Sequence, residues 1–390
     1  MNVLIDQQDV EIRDAVRQFL SAECPTSLAR SAENTVQGHS VELWKKFCEL
    51  GWAGIALATE SGGQGLSLTS MGVVMEEVGR HIAPLPFHST IIPALVLSRH
   101  GTAKQKALLP GIASGDTLLS FAVQEGSGEW WPDSAQTIAQ RSGEALVLNG
   151  RKHFVDGFAS SATCMVVVRV ISEHGEDEGI SCVLVHTNAP GIRNETLAPT
   201  AKDSQGVIDF LDVHVSADAI VGGGISAARM LTDYATAFSV SLLEGAARRT
   251  MEMAVAYVKQ REAFGQAIGA FQVIQHMAAD MLNAVDGTQL LVHEAIWLLD
   301  HGFPAEVEIS QAKAFANEKC LMVARMAQQF HGGIGFIAEF DLNLWYRRIT
   351  SWALRYGTTY EHRARVARAL LDTEGEVRLG MPQFLPEAAV

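Results

Sequence analysis

The stretch Gln260-Arg261-Glu262-Ala263-Phe264-Gly265-Gln266-Ala267-Ile268, followed at once by Phe271-Gln272, decides how this chain is read. It closes a long segment, residues 227–262, whose apolar residues recur at helical spacing. The same period returns over 271–301, 305–330 and 341–371. Four long helices joined by short connections predict an antiparallel four-helix bundle over 223–390. The final GMPQFLPEAAV of that region reads as a loose end or a partner-docking arm.

Working outward, residues 116–222 change character. Short β-prone runs at 118–123, 145–148, 164–170, 180–185 and 206–215 alternate with turn residues such as Leu148-Asn149-Gly150-Arg151. They predict a middle β-barrel or sandwich domain, with the acidic stretch 173–178 as an exposed hairpin loop. Residues 1–115 read as a helical domain. Val10, Ile12, Val16, Phe19 and Leu20 fall at roughly helical spacing, and further helices are expected over 41–50, 68–81 and 103–113. Gly62, Gly63 and Gly65 allow a tight loop, after which Ser67 or Thr69 could cap a helix. The fold class is therefore α+β and multidomain: helical, then β, then helical bundle.

Composition narrows the function. The chain has 390 residues, 48% of them hydrophobic and 19% charged, which suits large buried cores and excludes a disordered chain. A net charge of −14 argues against a nucleic-acid partner, which needs a basic surface. The five cysteines, at 24, 48, 164, 182 and 320, are odd in number and lack the spacing of a metal or redox pair. They predict no metal site and a reducing, cytoplasmic setting. The N-terminus lacks the basic start and apolar run of a signal peptide, and no apolar run approaches the ~20 residues of a membrane span.

Three motifs, in order, carry a resemblance over nearly the whole chain. Leu50-Gly51-Trp52 precedes the loop Gly62-Gly63-Gln64-Gly65-Leu66. The Arg261–Gln272 stretch follows, and then Gln329-Phe330-His331-Gly332-Gly333-Ile334-Gly335-Phe336. Together they resemble the acyl-CoA dehydrogenase family. Family members bind FAD, usually as tetramers with each FAD at a subunit interface. They oxidise the Cα–Cβ bond of an acyl-CoA thioester: the flavin takes a hydride from Cβ and a carboxylate takes the α-proton. The resemblance implies that Arg261 reaches the FAD pyrophosphate of a neighbouring subunit, a role that suits a guanidinium fork. Phe264, Gln272, Gln329, Gly332 and Gly333 match the rest of that ADP cradle.

Elsewhere the pattern departs. Where the family carries a Thr-Glu-Pro-type turn and a small segment, this chain has Gln124-Glu125-Gly126-Ser127-Gly128-Glu129-Trp130-Trp131. The family's Trp-Ile-(Thr/Ser) run beside the flavin ring becomes Phe154-Val155-Asp156, so a hydroxyl donor is replaced by a carboxylate, which when ionised only accepts. Asp156 is then either an altered flavin contact or a solvated loop residue. The indoles of Trp130 and Trp131 either shape an acyl pocket or close the cleft. Gln124, Phe154, Asp156 and Thr358 are the positions implied to face this chain's own flavin. The usual catalytic Glu precedes a Gly-Thr pair; here Arg355-Tyr356-Gly357-Thr358 puts Tyr356 at that position. A phenol of reference pKa ~10 is a poor base at neutral pH. The family's alternative base position falls at Ala235, beside Thr236. Asp233 and Glu244 are other carboxylates to consider, Glu244 either as a relocated base or as the partner of Arg248 one turn on.

Three readings follow. The first is the base-lacking subunit of a heteromeric enzyme, as the resemblance implies for members acting on bulky substrates such as steroid side-chain thioesters. The second is a self-sufficient dehydrogenase with a relocated base, either Glu244 or Asp156. The third is a non-enzymatic binding or scaffold protein. The expected partners are an acyl-CoA thioester and, in a homo- or heterotetramer, another chain of the same family.

Overall fold

The computed structural model describes residues 5–126 and 128–372; Ser127 and the terminal GMPQFLPEAAV lie outside the described residues. The chain opens with seven helices: α1 (Gln7–Glu23), α2 (Thr26–Ala32), α3 (Val41–Glu49), α4 (Leu68–Arg80), α5 (Phe87–His100), α6 (Ala103–Lys106) and α7 (Leu109–Ala113). Short polar residues start several of them. The side chains of Asp6, Ser40 and Ser67 accept from the backbone N–H groups of Asp9, Leu43 and Ser70. Sequence periodicity misses α5, whose middle is buried on every side and so has no polar stripe. The single helix expected over 103–113 is two, because Pro110 begins α7 in its first turn.

The middle region is an eight-stranded sheet: β1 (Leu119–Ala122), β2 (Ile138–Ser142), β3 (Ala145–Asp156), β4 (Thr163–Ile171), β5 (Asp177–His186), β6 (Ile192–Leu197), β7 (Gln205–Ser216) and β8 (Ile220–Val221). Its strands run in the order β6-β7-β3-β2-β4-β5-β8, with β1 pairing in parallel with β4. Leu146, Leu148, Val166, Val168, Ile208 and Phe210 are among the residues of its own core. The register of β3 against β7 slips between Lys152 and Val155, giving a bulge centred on Phe154, whose φ is +55°. Such bulges re-aim the side chains that follow, here Asp156.

The last region holds α8 (Ile225–Gln260), a two-strand hairpin β9 (Glu262–Ala263) and β10 (Gln266–Ala267), then α9 (Gln272–Asp300), α10 (Glu306–His331), α11 (Leu342–Trp352) and α12 (Thr359–Leu371). The reading of 341–371 as one long helix is corrected: it is α11 and α12 with a reversal between them. Tyr356 and Gly357 take φ of +59° and +98°, which no α-helix contains. Thr358 then starts α12 with a capping box closed by Glu361. One apolar core joins the N-terminal helices to α8–α11. Where α4 crosses α8 the backbones nearly touch: a Cβ on Gly245 would lie 1.8 Å from the Glu76 carbonyl, so only glycine fits. Among the described residues no helix is long and apolar enough to cross a membrane.

Candidate active site

The β3 bulge, the α11–α12 reversal and the start of α5 converge on one cleft. Tyr356 donates its phenolic proton to Asp156 Oδ2 at 2.8 Å. The other Asp156 oxygen accepts from Arg355 at 3.0 Å and from Gln205 at 3.0 Å. Arg355 also donates to Asp203 at 2.7 Å, and the Trp352 indole reaches the second Asp203 oxygen at 3.3 Å. His88 donates through Nε2 to the Ala235 carbonyl at 3.0 Å, which leaves its Nδ1 as an acceptor 3.4 Å from the Tyr356 oxygen. The alternative reading of Asp156 as a solvated loop residue is thereby corrected: it is held on both oxygens by residues from separate segments.

The electrostatics follow from burial. Burial pushes the Asp156 carboxyl above its usual range, and Arg355 only partly offsets this while Asp203 adds to it. Burial acts on Asp203 too, but there Arg355, with help from Arg348 and the Trp352 indole, wins and holds the group low. Burial raises the Tyr356 phenol well above its ordinary value, and the Asp156 carboxylate raises it further. Tyr356 is thus a fixed donor and not a base. Burial lowers His88 to about 4, so its ring is neutral at pH 7.

Aromatic side chains pack the same cleft. Trp130 is buried, donates to Thr236 Oγ1 at 3.1 Å and meets the Tyr356 ring edge-on at 4.8 Å. Trp130 thus fills the space beside the Tyr356 ring. Trp131 lies outside it, under the Arg365 guanidinium at 4.2 Å. The loop carrying both is anchored by Glu125, which accepts from the buried Lys152 ammonium at 2.6 Å and from the Thr137 hydroxyl at 2.7 Å. The remaining cavity is about 130 Å³, lined by His88, Ser89, Asp156, Ser239, Arg355 and Tyr356 among others. That is space for a handful of waters.

The other positions divide. Gln124 is tied to the Gly128 carbonyl at 2.9 Å, Phe154 is half exposed, and the Thr358 hydroxyl serves its own helix cap. Glu244 does not line this cleft. It lies in the α4–α8–α9 core, where Arg248 donates to it at 2.6 Å and the His293–Glu76 pair, 2.7 Å long, is its neighbour. Asp233 sits near Arg365, at 3.5 Å, and burial raises it to about 6. Neither the Tyr356–Asp156–Arg355–Asp203 set nor His88 is legible from sequence as part of one site. The resemblance points to Tyr356, Asp156 and Trp130 separately, but nothing in the sequence joins them to Arg355, Asp203 and His88.

The positions that the resemblance implies for an ADP cradle lie apart from the cleft and face outward. Phe264, at the tip of the β9–β10 hairpin, is 95% exposed, and Arg261, Gln272, Gln329, Gly332 and Gly333 are not buried either. Arg261, Gln272 and Gln329 form no side-chain hydrogen bond or ion pair among the described residues. At Gly332 and Gly333 nothing lies within 4 Å of where a Cβ would stand. A free guanidinium and two free amides are donors of the kind that suits a pyrophosphate and its nucleoside, and Gly332 and Gly333 leave room for such a ligand to approach. The cradle therefore fits the ADP end of FAD.

Comparison with known proteins agrees region by region. Residues 6–116, 121–213 and 222–371 match the models of the acyl-CoA dehydrogenase N-terminal, middle and C-terminal domains. The chain is 30% identical to the probable acyl-CoA dehydrogenase YngJ of Bacillus subtilis (strain 168), over 95% of this chain and 100% of that one. Among solved structures, a point variant of the Tcur3481-Tcur3483 steroid ACAD is 26% identical with a TM-score of 0.85, covering 93% of this chain and 97% of that one. A glutaryl-CoA dehydrogenase from Mycobacterium smegmatis, solved with FADH2, shares the fold at 24% identity and a TM-score of 0.85, covering 95% and 96%. With three domain models matched in order along its length and a cradle fitted to FAD, the chain belongs to the acyl-CoA dehydrogenase family and takes FAD as its cofactor.

Proposed function

We propose that this chain is the supporting subunit of a heteromeric FAD-dependent acyl-CoA dehydrogenase. One observation carries the reading: at the family's base position Tyr356 is spent as a hydrogen-bond donor to Asp156, while the cradle on the outer face stays free. Bound FAD supplies hydride acceptance from Cβ of an acyl-CoA thioester. This chain's part is to hold the dinucleotide of a neighbouring subunit. The Arg261 guanidinium pairs with pyrophosphate oxygens, the Phe264 ring covers apolar surface, and the Gln272 and Gln329 amides donate to the nucleotide. The α-proton is taken by a carboxylate on the partner, a second chain of the same family. The similarity to an assembly named for two chains and for a steroid substrate supports a bulky thioester as the substrate class. Five buried free cysteines suit a reducing cytoplasm.

The test is flavin stoichiometry with mass, by absorbance and light scattering. It is run on this chain alone and co-expressed with an acyl-CoA dehydrogenase-like chain encoded beside it. A colourless or unstable chain that becomes a yellow mixed tetramer is the expected result. A yellow homotetramer with one FAD per chain and thioester turnover overturns it. The second reading, a self-sufficient enzyme, then rests on Asp156, the carboxylate that reaches the Tyr356 phenol and is raised by burial. It requires acyl-CoA to bleach bound FAD, and Asp156→Asn to abolish the bleaching. The scaffold reading has only the Arg clusters at 347–348 and 363–368 to set against a charge of −14.

A further inference from the structure

Lys313 carries a buried amine with no carboxylate partner among its described contacts. It is fully buried in the third turn of α10, and its Nζ donates to the Trp352 carbonyl at 3.0 Å, at the C-terminal end of α11. One turn further along α10, Asn317 Nδ2 donates to the Gly357 carbonyl at 3.2 Å. From α12, His362 Nε2 donates to the Tyr356 carbonyl at 2.9 Å, and burial lowers that ring to about 3, so it stays neutral. Three buried side chains from two helices thus hold three carbonyls of one short reversal.

The reversal needs holding. Tyr356 has φ +59°, in the left-handed region that a non-glycine side chain enters only at a steric cost. Such conformations persist only where their surroundings over-determine them. The His362 ring also packs so closely that a Cβ at Gly357 would lie 2.5 Å from its Nε2, which fixes glycine there. An ammonium beside the last carbonyls of α11 opposes the negative end of that helix, a favourable place for a cation. Burial lowers the Lys313 pKa to about 7, against the pull of Cys320 and with the help of Arg355, and the amine and the ammonium can both donate to the Trp352 carbonyl. An apolar side chain would fill the same space without that cost, so the amine is explained by the carbonyl it meets.

We infer that Lys313, with Asn317 and His362 beside it, is a positioning residue for Tyr356: the three grip the α11–α12 reversal from behind and so aim the phenol at Asp156. The inference concerns the aim of residue 356 and holds whether or not the chain binds its own flavin, so the two can fail separately.

The test uses the full chain and reads hydrogen exchange at residues 352–358 together with near-ultraviolet circular dichroism. The latter reports the edge-on Trp130–Tyr356 contact as the difference between spectra recorded with and without the Tyr356→Phe substitution. In Lys313→Met, exchange over 352–358 is expected to rise at least tenfold while the rest of α10 and α12 keeps its protection. Adding Tyr356→Phe to Lys313→Met is expected to leave the dichroism spectrum unchanged, because the contact is already lost. Unchanged exchange at 352–358, or a rise spread evenly over α10 and α12, overturns the inference. If Lys313→Met does not fold, Asn317→Ala and His362→Gln decide by the same two readouts, with loss expected for Asn317→Ala and retention for His362→Gln, whose amide can still donate.

Discussion

The hairpin strip around Arg261 and the cleft around Tyr356 belong to the same helical region, yet they treat their polar groups in opposite ways. On the strip, Arg261, Gln272 and Gln329 are exposed, with nothing bonded to their side chains among the described residues, and the Phe264 ring is 95% exposed. In the cleft Tyr356, Asp156 and Asp203 are all partnered, and Arg355 alone serves two carboxylates. A surface left open and an interior closed on itself are what the proposed supporting-subunit role requires of this chain. The contrast also teaches where a substitution should be felt: in stability at the cleft, in association at the strip.

The largest effect is expected at Arg355. Arg355→Ala leaves Asp156 and Asp203 together without their shared cation. Removing one member of a buried ion pair typically costs about 3–5 kcal/mol. The urea midpoint of unfolding should fall accordingly. A drop under ~1 kcal/mol would mean that the cleft is open to water and the contrast with the strip is false.

Next comes pH, read at Glu244. Burial, with the neighbouring Glu76, raises its pKa to about 8, against the pull of Arg248. The native state therefore holds a proton that the unfolded chain has released. The stability tied to it is fully present below the carboxylate's unfolded pKa of ~4.3 and is lost as pH rises toward about 8. Urea melts between about pH 5 and 8 should show falling stability, and Glu244→Gln should flatten the fall. If that variant instead leaves the pH profile unchanged but abolishes flavin bleaching, Glu244 belongs to the chemistry after all and not to the α4–α8–α9 core alone.

At the strip, Arg261→Ala should weaken FAD binding in the assembled oligomer by roughly 10–100-fold. That corresponds to the loss of a charge-assisted hydrogen bond of about 1.5–3 kcal/mol. Equilibrium dialysis of the flavin measures it. The melting temperature of the isolated chain should not move, because the Arg261 side chain bonds to nothing described within it.

Legibility in sequence divides along the same line. The strip is local: Arg261, Phe264 and Gln272 lie within a dozen residues, and the Gln329–Gly333 run is contiguous, so a motif exposes both. The three-region order is equally readable, since the apolar period switches from helix to strand and back. The cleft is not local. His88, Trp130, Asp156, Asp203 and Tyr356 come from five segments, joined by a β3 bulge and by a helix reversal that periodicity reads straight through. Backbone at φ +55° and +59° on Phe154 and Tyr356 carries no glycine or asparagine to announce it. The strands β2 and β6 escape a reading by pattern for a related reason: mostly polar or exposed residues show no apolar alternation.

The smallest effect is the sharpest discriminator. Phe264 at 95% exposure buries almost nothing in the isolated chain, so Phe264→Ser should change its unfolding free energy by no more than about 0.5 kcal/mol. An exposed aromatic that costs nothing to remove from the monomer has its use elsewhere, and the same variant should shift the mass of the assembly and its flavin content together. If Phe264→Ser leaves both untouched, the ring is an ordinary surface residue and the strip loses its most conspicuous contact, leaving Arg261 alone to argue that this face meets a neighbour's FAD. If it instead destabilises the isolated chain, its edge-on contact with Phe271 at 6.2 Å is holding the hairpin in place, and the strip is a structural element before it is a binding one.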